Sequence, residues 1–312
     1  MANIVKRQHY VWRKYLKAWC SQGAEDCIYA TFKEGMRTIH TSLMNVGQQK
    51  HFYKIYELSS EELELMRRMI ESAPLKLKDF ASLLMIPYQS FAEIISICRR
   101  TPQIKEINPE LESLIREIEI NTFEQVEGLI ESFGTDLIEC SCVDDVIKIE
   151  ESGEIQKALL YFFVQFVRTK NMYSRIMAGF EEEQGRKFKT FCEHAFPFVS
   201  LFYALELCYK TVNSQWHIIF VKNETAIPFI TGDQPIFNFA YNEESDEGLE
   251  LYYPISPKSA LVLCVDCDIP RYSTIDADEG YVITHNNAMW DNSDLQVFAN
   301  KSDILQEIIN TQ

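Results

Sequence analysis

Glycine and proline are scarce in this sequence, 11 and 10 among 312 residues. That excludes collagen-like repeats and low-complexity linkers. The glycines fall as singletons such as Gly35, Gly47 and Gly134, so no glycine-rich phosphate loop or dinucleotide fingerprint can be drawn. HExxH, CxxCH and GxSxG patterns are missing as well. Their absence removes the zinc-peptidase, c-type haem and nucleophile-elbow readings. No apolar run approaches the ~18 residues that a bilayer-spanning helix needs. Met1-Ala2-Asn3-Ile4-Val5-Lys6-Arg7 is followed by no apolar segment of signal-peptide type. The expectation is therefore a cytoplasmic protein with no membrane partner. Positive charge is also in deficit, 30 Lys and Arg against 46 Asp and Glu, for a net charge of −16. Nonspecific binding of nucleic acid over a broad surface is disfavoured, because such affinity comes from cations neutralising phosphates. A local basic groove stays open, since Lys6, Arg7, Arg13, Lys14 and Lys17 cluster without an acid among them.

Apolar residues are plentiful, at 46% of the chain, enough for a sizeable core. Nine cysteines are scattered through apolar segments and read as reduced core residues. Cys264 and Cys267 have zinc-knuckle spacing, but Ala260 to Val265 reads as a strand. Residues three apart on a strand point to opposite faces, so the pair cannot share a tetrahedral metal without a turn. The acidic run Glu243–Glu250 reads as a solvated hairpin loop, or as a surface for a basic protein partner.

The hydrophobic period changes twice along the chain. Residues 10–19 place Val11, Tyr15, Leu16 and Trp19 at helical spacing, and Cys27–Phe32 reads as a strand. Helical patterns then run from Ser59, where hydroxyls precede Glu61 and Glu62, through Phe80–Cys98, Pro109–Phe133, Glu154–Phe180 and Lys187–Tyr209. Pro197 predicts a kink in the last of these. Strands are expected over Trp216–Val221, Ile227–Thr231, Ile236–Ala240, Leu249–Tyr253 and Ser259–Val265, followed by a closing helix over Ile283–Phe298. The fold expected is α+β: a mostly antiparallel sheet built from N- and C-terminal segments and packed with a large helical middle. The segments are 1–56, 57–212 and 213–312, read as one integrated domain.

Polar residues that could converge come from distant segments: His9, Gln165, Arg168, Asp233, Ser256 and Asn286. Gln165 and Arg168 lie three apart on an otherwise apolar helix and can point the same way. In a functional reading Arg168 binds an anionic group such as phosphate. Asp233 is then base or metal ligand, and His9 a proton carrier near neutral pH. The structural alternative has Asp233 capping its own turn or pairing with Arg168, with Asn286 as a helix cap. A restriction-type nuclease core drawn from Asp233, Glu250 and Lys258 lacks the tight acid-x-Lys element.

The order of short motifs resembles a bacterial family, domain of unknown function 4238. His9-Tyr10-Val11 with Tyr15-Leu16 is similar to its opening motif, and His51-Phe52-Tyr53 to its "xFY" segment. Gln165-Phe166-Val167-Arg168-Thr169 is similar to "QxxRT", Phe229 to Pro235 to "FITSDxP", and Pro254-Ile255-Ser256-Pro257 to "PLSP". Asn286 and Val297-Phe298 resemble the closing segment. Trp12 stands where the family pattern has Pro, and Gly232 where it has a small hydroxyl. The resemblance implies that the recurrent polar residues share one site. The expected function is hydrolysis of a phosphate-containing substrate, such as a nucleic acid or nucleotide, by a bacterial effector of defence or toxin type. His9, Asp233 and Arg168 are the expected catalytic set, and Gln165, Ser256, Asn286 and Tyr10 the expected substrate-binding set. No dedicated metal ligands are assigned, and a Mg2+ cofactor is left open. The alternative is a non-catalytic binding or scaffold protein that uses the same residues structurally.

Overall fold

The computed structural model describes residues 7–73, 75–101, 103, 110–178, 186–240, 248–265 and 267–311. Most of the acidic run, residues 243–247, lies outside the described residues. The class is α+β, with three sheets where the sequence reading expects one. A short ribbon pairs β1 (Arg7–His9) with β4 (Gln48–Lys50). A four-stranded antiparallel sheet has the order β3 (Arg37–Ser42), β2 (Cys27–Phe32), β11 (Gln296–Ala299), β6 (Thr231–Gly232). It joins N-terminal to C-terminal segments, as the pattern of termini implies. The third sheet has the order β10 (Tyr272–Ala277), β5 (Trp216–Asn223), β9 (Ser259–Val265), β8 (Glu250–Ser256), β7 (Phe237–Asn238). It is antiparallel except for the β10–β5 pair.

Strand alternation gives the third sheet two buried faces. Ile218, Phe220, Leu251, Tyr253, Leu261 and Leu263 face the helical middle. Val221, Tyr252, Ala260 and Val262 face Phe229, Ile230, Met289, Trp290 and Val297. The helical middle starts with α2 (Ser60–Ser72), closed by a capping box in which Ser59 and Glu62 each bond the other's backbone amide. Then come α3 (Leu75–Arg100), α4 (Glu110–Phe133), α5 (Thr135–Ile138) and α6 (Val143–Glu151). Next are α7 (Ile155–Val167), α8 (Lys170–Ala178) and α9 (Arg186–Val212). The last helix kinks at Ala195, two residues before Pro197, because proline offers no amide to the preceding turn.

Four expectations give way to tertiary contacts. Residues 10–19 form only α1 (Arg13–Leu16) and a 3-10 turn Lys17–Trp19, since the amides of Tyr10 and Val11 bond the Gly47 carbonyl at 3.0 and 3.1 Å and hold the entry extended. The helix expected over Glu154–Phe180 breaks at Arg168 and Thr169, where the Thr169 hydroxyl caps the amide of Met172 at 3.3 Å. The closing helix α10 (Glu279–Asn292) stops short, and Val297 and Phe298 sit instead in the interior strand β11. Ile227–Thr231 is not a full strand either. The Phe229 amide bonds the Pro257 carbonyl at 3.0 Å, and the Ile230 amide bonds the Asn286 side chain at 3.0 Å. A last helix, α11 (Ser302–Thr311), packs on β11.

The N-terminal turn is tied to the C-terminal segments by buried polar tips. The Tyr15 hydroxyl donates to the Pro254 carbonyl at 2.7 Å and meets the Thr231 hydroxyl at 2.6 Å. Trp19 Nε1 donates to the Phe229 carbonyl at 3.1 Å.

Candidate functional site

Asp233 is 1% exposed and follows directly on β6. Its carboxylate accepts three consecutive backbone amides: Asp294 at 2.8 Å, Leu295 at 2.8 Å and Gln296 at 3.1 Å. It therefore fixes the turn that carries the chain from α10 into β11. Burial pushes its carboxyl up to about 6, while those amides pull the other way. Gly232 is needed beside it, because a Cβ there would overlap the Ser293 hydroxyl.

Asn286 is buried on α10 and staples the 228–230 segment, donating to the Pro228 carbonyl at 2.9 Å and accepting the Ile230 amide at 3.0 Å. Ser256 closes the β8–β9 turn through the Ser259 hydroxyl at 2.7 Å and the Lys258 amide at 3.1 Å. Tyr10 is buried with its ring on Phe52, and its carbonyl accepts from Gln165 Nε2 at 3.0 Å. Gln165 Oε1 accepts from Arg168 at 2.7 Å.

Arg168 is 1% exposed and reaches the protein's own carboxylates, Glu127 at 2.6 Å and Glu131 at 2.8 Å. Both belong to α4, where Glu124, Glu127 and Glu131 follow the i, i+3, i+7 spacing of one helix face. Sequence reasoning passed over them. The available signal was that spacing, with Gly128 set between them.

These glutamates line a cleft of about 700 Å³ with His9, Trp12, Arg13, Lys14, Lys17, Leu43, Met44, Tyr53 and Gly128 among its other walls. Of the residues nominated from sequence, His9 is the one that lines it. Arg168 lies behind the glutamate wall, and Asp233, Asn286 and Ser256 serve the C-terminal segments described above.

The walls are electrostatically unlike. On one side Arg13 and Lys17 are exposed, Lys17 lying 4.0 Å from the Asp26 carboxylate that lines the same cleft, and Lys14 bridges to Glu139 at 2.6 Å. His9 Nε2 lies 3.3 Å from the Leu43 carbonyl. Burial, helped by Arg13, pushes the imidazole down to about 4, so it is neutral at physiological pH. On the other side burial raises all three glutamates above the ordinary carboxyl range. Glu131 reaches about 7 against the pull of Arg168, with the Glu127 charge adding to the rise. The site thus offers a neutral base, a carboxyl that titrates near neutrality and a cationic rim. Among the described residues no group of three His, Cys, Asp or Glu side chains is arranged to hold a metal ion. No described helix is long and apolar enough to cross a membrane.

The family model for Protein of unknown function (DUF4238) matches residues 7–303, a span that includes every residue discussed in this site. No curated protein and no solved structure gives a significant match.

Proposed function

We propose that this chain, which belongs to the DUF4238 family, is an acid–base hydrolase of a phosphate-bearing substrate, a nucleotide or nucleic acid, and that it works in the cleft between α1 and α4. The supporting observation is that one cleft unites His9, Glu131 and the cations Arg13, Lys14 and Lys17. The rim cations hold the phosphate. His9, neutral in its buried setting, takes a proton from the attacking water, and Glu131 delivers one to the leaving group. Arg168 is a positioning residue: it fixes Glu127 and Glu131 and touches no substrate.

Purified protein incubated with nucleotides, RNA and DNA, with and without Mg2+ or Mn2+, should release product. His9→Ala and Glu131→Gln should each lower turnover by ~100-fold or more, the usual contribution of a general acid or base. Failure to turn over any of these substrates, or a His9→Ala variant as active as the parent, would sink the proposal.

A second reading, a non-catalytic protein pinned together by its polar residues, is favoured by Asp233, Asn286 and Ser256. It predicts that each matters for stability alone and that the cleft binds without turnover.

A further inference from the structure

We propose that Cys264 and Cys267 form a reversible dithiol–disulfide couple, in which Cys267 attacks, Cys264 resolves and His217 takes the Cys264 proton. The oxidant is a low-molecular-weight disulfide. The pair lies at the end of β9 and does not line the cleft, so its chemistry is separate from the reaction placed there.

Residues three apart on a continuous strand stand about 10 Å from one another, beyond the ~7 Å between Cα atoms that a disulfide can bridge. The two sulfurs therefore need a turn between them, and the fold supplies it. β9 ends at Val265, and the Cys267 thiol comes back to donate to the Val265 carbonyl at 3.6 Å. There the Cys264 thiol hydrogen-bonds to the Cys267 sulfur. The two thiols are unequally placed. Cys264 is 3% exposed, whereas Cys267 is half-buried and open to a small reagent. Burial, with the bond to Cys267, pushes the Cys264 thiol up to about 12, so the first attacking thiolate is that of Cys267. An open thiol that attacks and a closed thiol that resolves are the two parts of an intramolecular exchange.

The neighbouring strands add the base. Cys264 stands in register with His217 of β5 on one flank and with Glu250 of β8 on the other. Side chains paired in this way share a face of the sheet, with Cβ atoms ~4.5–5.5 Å apart. His217 is 2% exposed, and neither of its ring nitrogens has a hydrogen-bond partner. A buried imidazole left without partners beside a thiol is placed to receive that thiol's proton. The steps balance. Cys267 attacks one sulfur of the small disulfide, whose S–S bond breaks, and the first small thiol leaves with the Cys267 proton. Cys264 gives its proton to His217 and attacks the Cys267 sulfur of the mixed disulfide. The second small thiol leaves and recovers that proton from His217. Two protein thiols are oxidised to one disulfide, and one small disulfide is reduced to two thiols.

The test is oxidation of the full chain by oxidised glutathione, followed by differential alkylation and peptide mass mapping. A Cys264–Cys267 disulfide should appear with the loss of two hydrogens, and dithiothreitol should restore both thiols. Formation should be about tenfold or more faster in the folded chain than in urea, because the fold brings the sulfurs together. Cys264→Ser should instead hold a glutathione adduct on Cys267. His217→Asn should form that adduct at the parent's rate and resolve it about tenfold or more slowly, the contribution expected of a positioned base. An oxidised chain in which Cys264 and Cys267 remain free or pair with other cysteines overturns the proposal. So does a disulfide that forms no faster in the folded chain than in urea, or resolution in His217→Asn as fast as in the parent. Hydrolysis in the cleft is a separate readout, and its absence leaves the couple standing.

Discussion

Replacing Gly128 by leucine separates the cleft from the fold that builds it. Gly128 sits in the interior of α4, exposed, with open space where a side chain would project. In a helix interior glycine is about 0.8–1.0 kcal/mol worse than alanine, and leucine is close to alanine. The substitution should therefore stabilise the folded state by roughly 0.5–1 kcal/mol, which for a chain of this size raises Tm by about 1–3 °C. The same side chain enters the cleft between Glu124, Glu127 and Glu131. Ligand affinity should fall at least tenfold, a loss of about 1.4 kcal/mol or more. The two readouts move in opposite directions, so together they separate lost binding from lost folding. Calorimetric unfolding and nucleotide titration of the same sample measure both. Unchanged affinity would show that ligands bind elsewhere. A clear fall in Tm would show that the space beside Gly128 is not open.

Asp233→Ala should cost about 3 kcal/mol or more in urea unfolding, because the amides of Asp294, Leu295 and Gln296 lose their shared acceptor. Activity per folded molecule should stay at the parent level, and a variant that folds normally but is inactive would return Asp233 to the chemistry. Gly232→Ala should destabilise by about 1–3 kcal/mol through overlap with Ser293. Much of that loss should be recovered in a Gly232→Ala/Ser293→Gly double variant, and additive losses would contradict the overlap. Arg168→Met leaves the buried Glu127 and the part-buried Glu131 without their cation and should cost about 3–5 kcal/mol at neutral pH. Glu131 titrates at about 7 when folded, above its ordinary value of 4.5, so the folded state binds the extra proton between these limits. Its contribution to stability is full below pH 4.5 and is lost as pH rises through 7. Glu131→Gln should remove that downward component from a plot of unfolding free energy against pH, and an unaltered slope would refute the assignment.

Strands with self-contained signals were legible at their true limits. Cys27–Phe32 and Ser259–Val265 are short, β-branched or aromatic runs whose pairing partners merely complete what the residues already favour. Pro197 and the Ser59–Glu62 cap were readable for the same reason, since each acts within a turn of itself. The misread segments are governed from far away in the chain. Residues 10 and 11 are held extended by the carbonyl of Gly47, and α10 ends where Asp233 gathers the amides of 294–296. No local periodicity carries the position of an acceptor some 36 or 61 residues distant. The motif order was legible as a whole because it belongs to the chain as a family member. The roles of its residues were not, since a conspicuous carboxylate after a strand is equally suited to chemistry and to holding a turn.

The glutamate wall shows what sequence reasoning lacked. Along α4 two glutamates are buried to a similar degree, Glu119 at 5% exposure and Glu127 at 2%. Each faces an arginine from outside α4, Arg99 at 2.7 Å and Arg168 at 2.6 Å. In a chain with 46 acidic residues neither stands out by type or by spacing. What distinguishes them is how completely each is answered. Glu119 gives Oε1 to Arg99 and has Lys54 at 3.9 Å from Oε2, so both oxygens face a cation. Glu127 gives Oε2 to Arg168 and leaves Oε1, shielded from solvent, without a donor. That incompleteness is a property of the assembled helices, invisible along either of them.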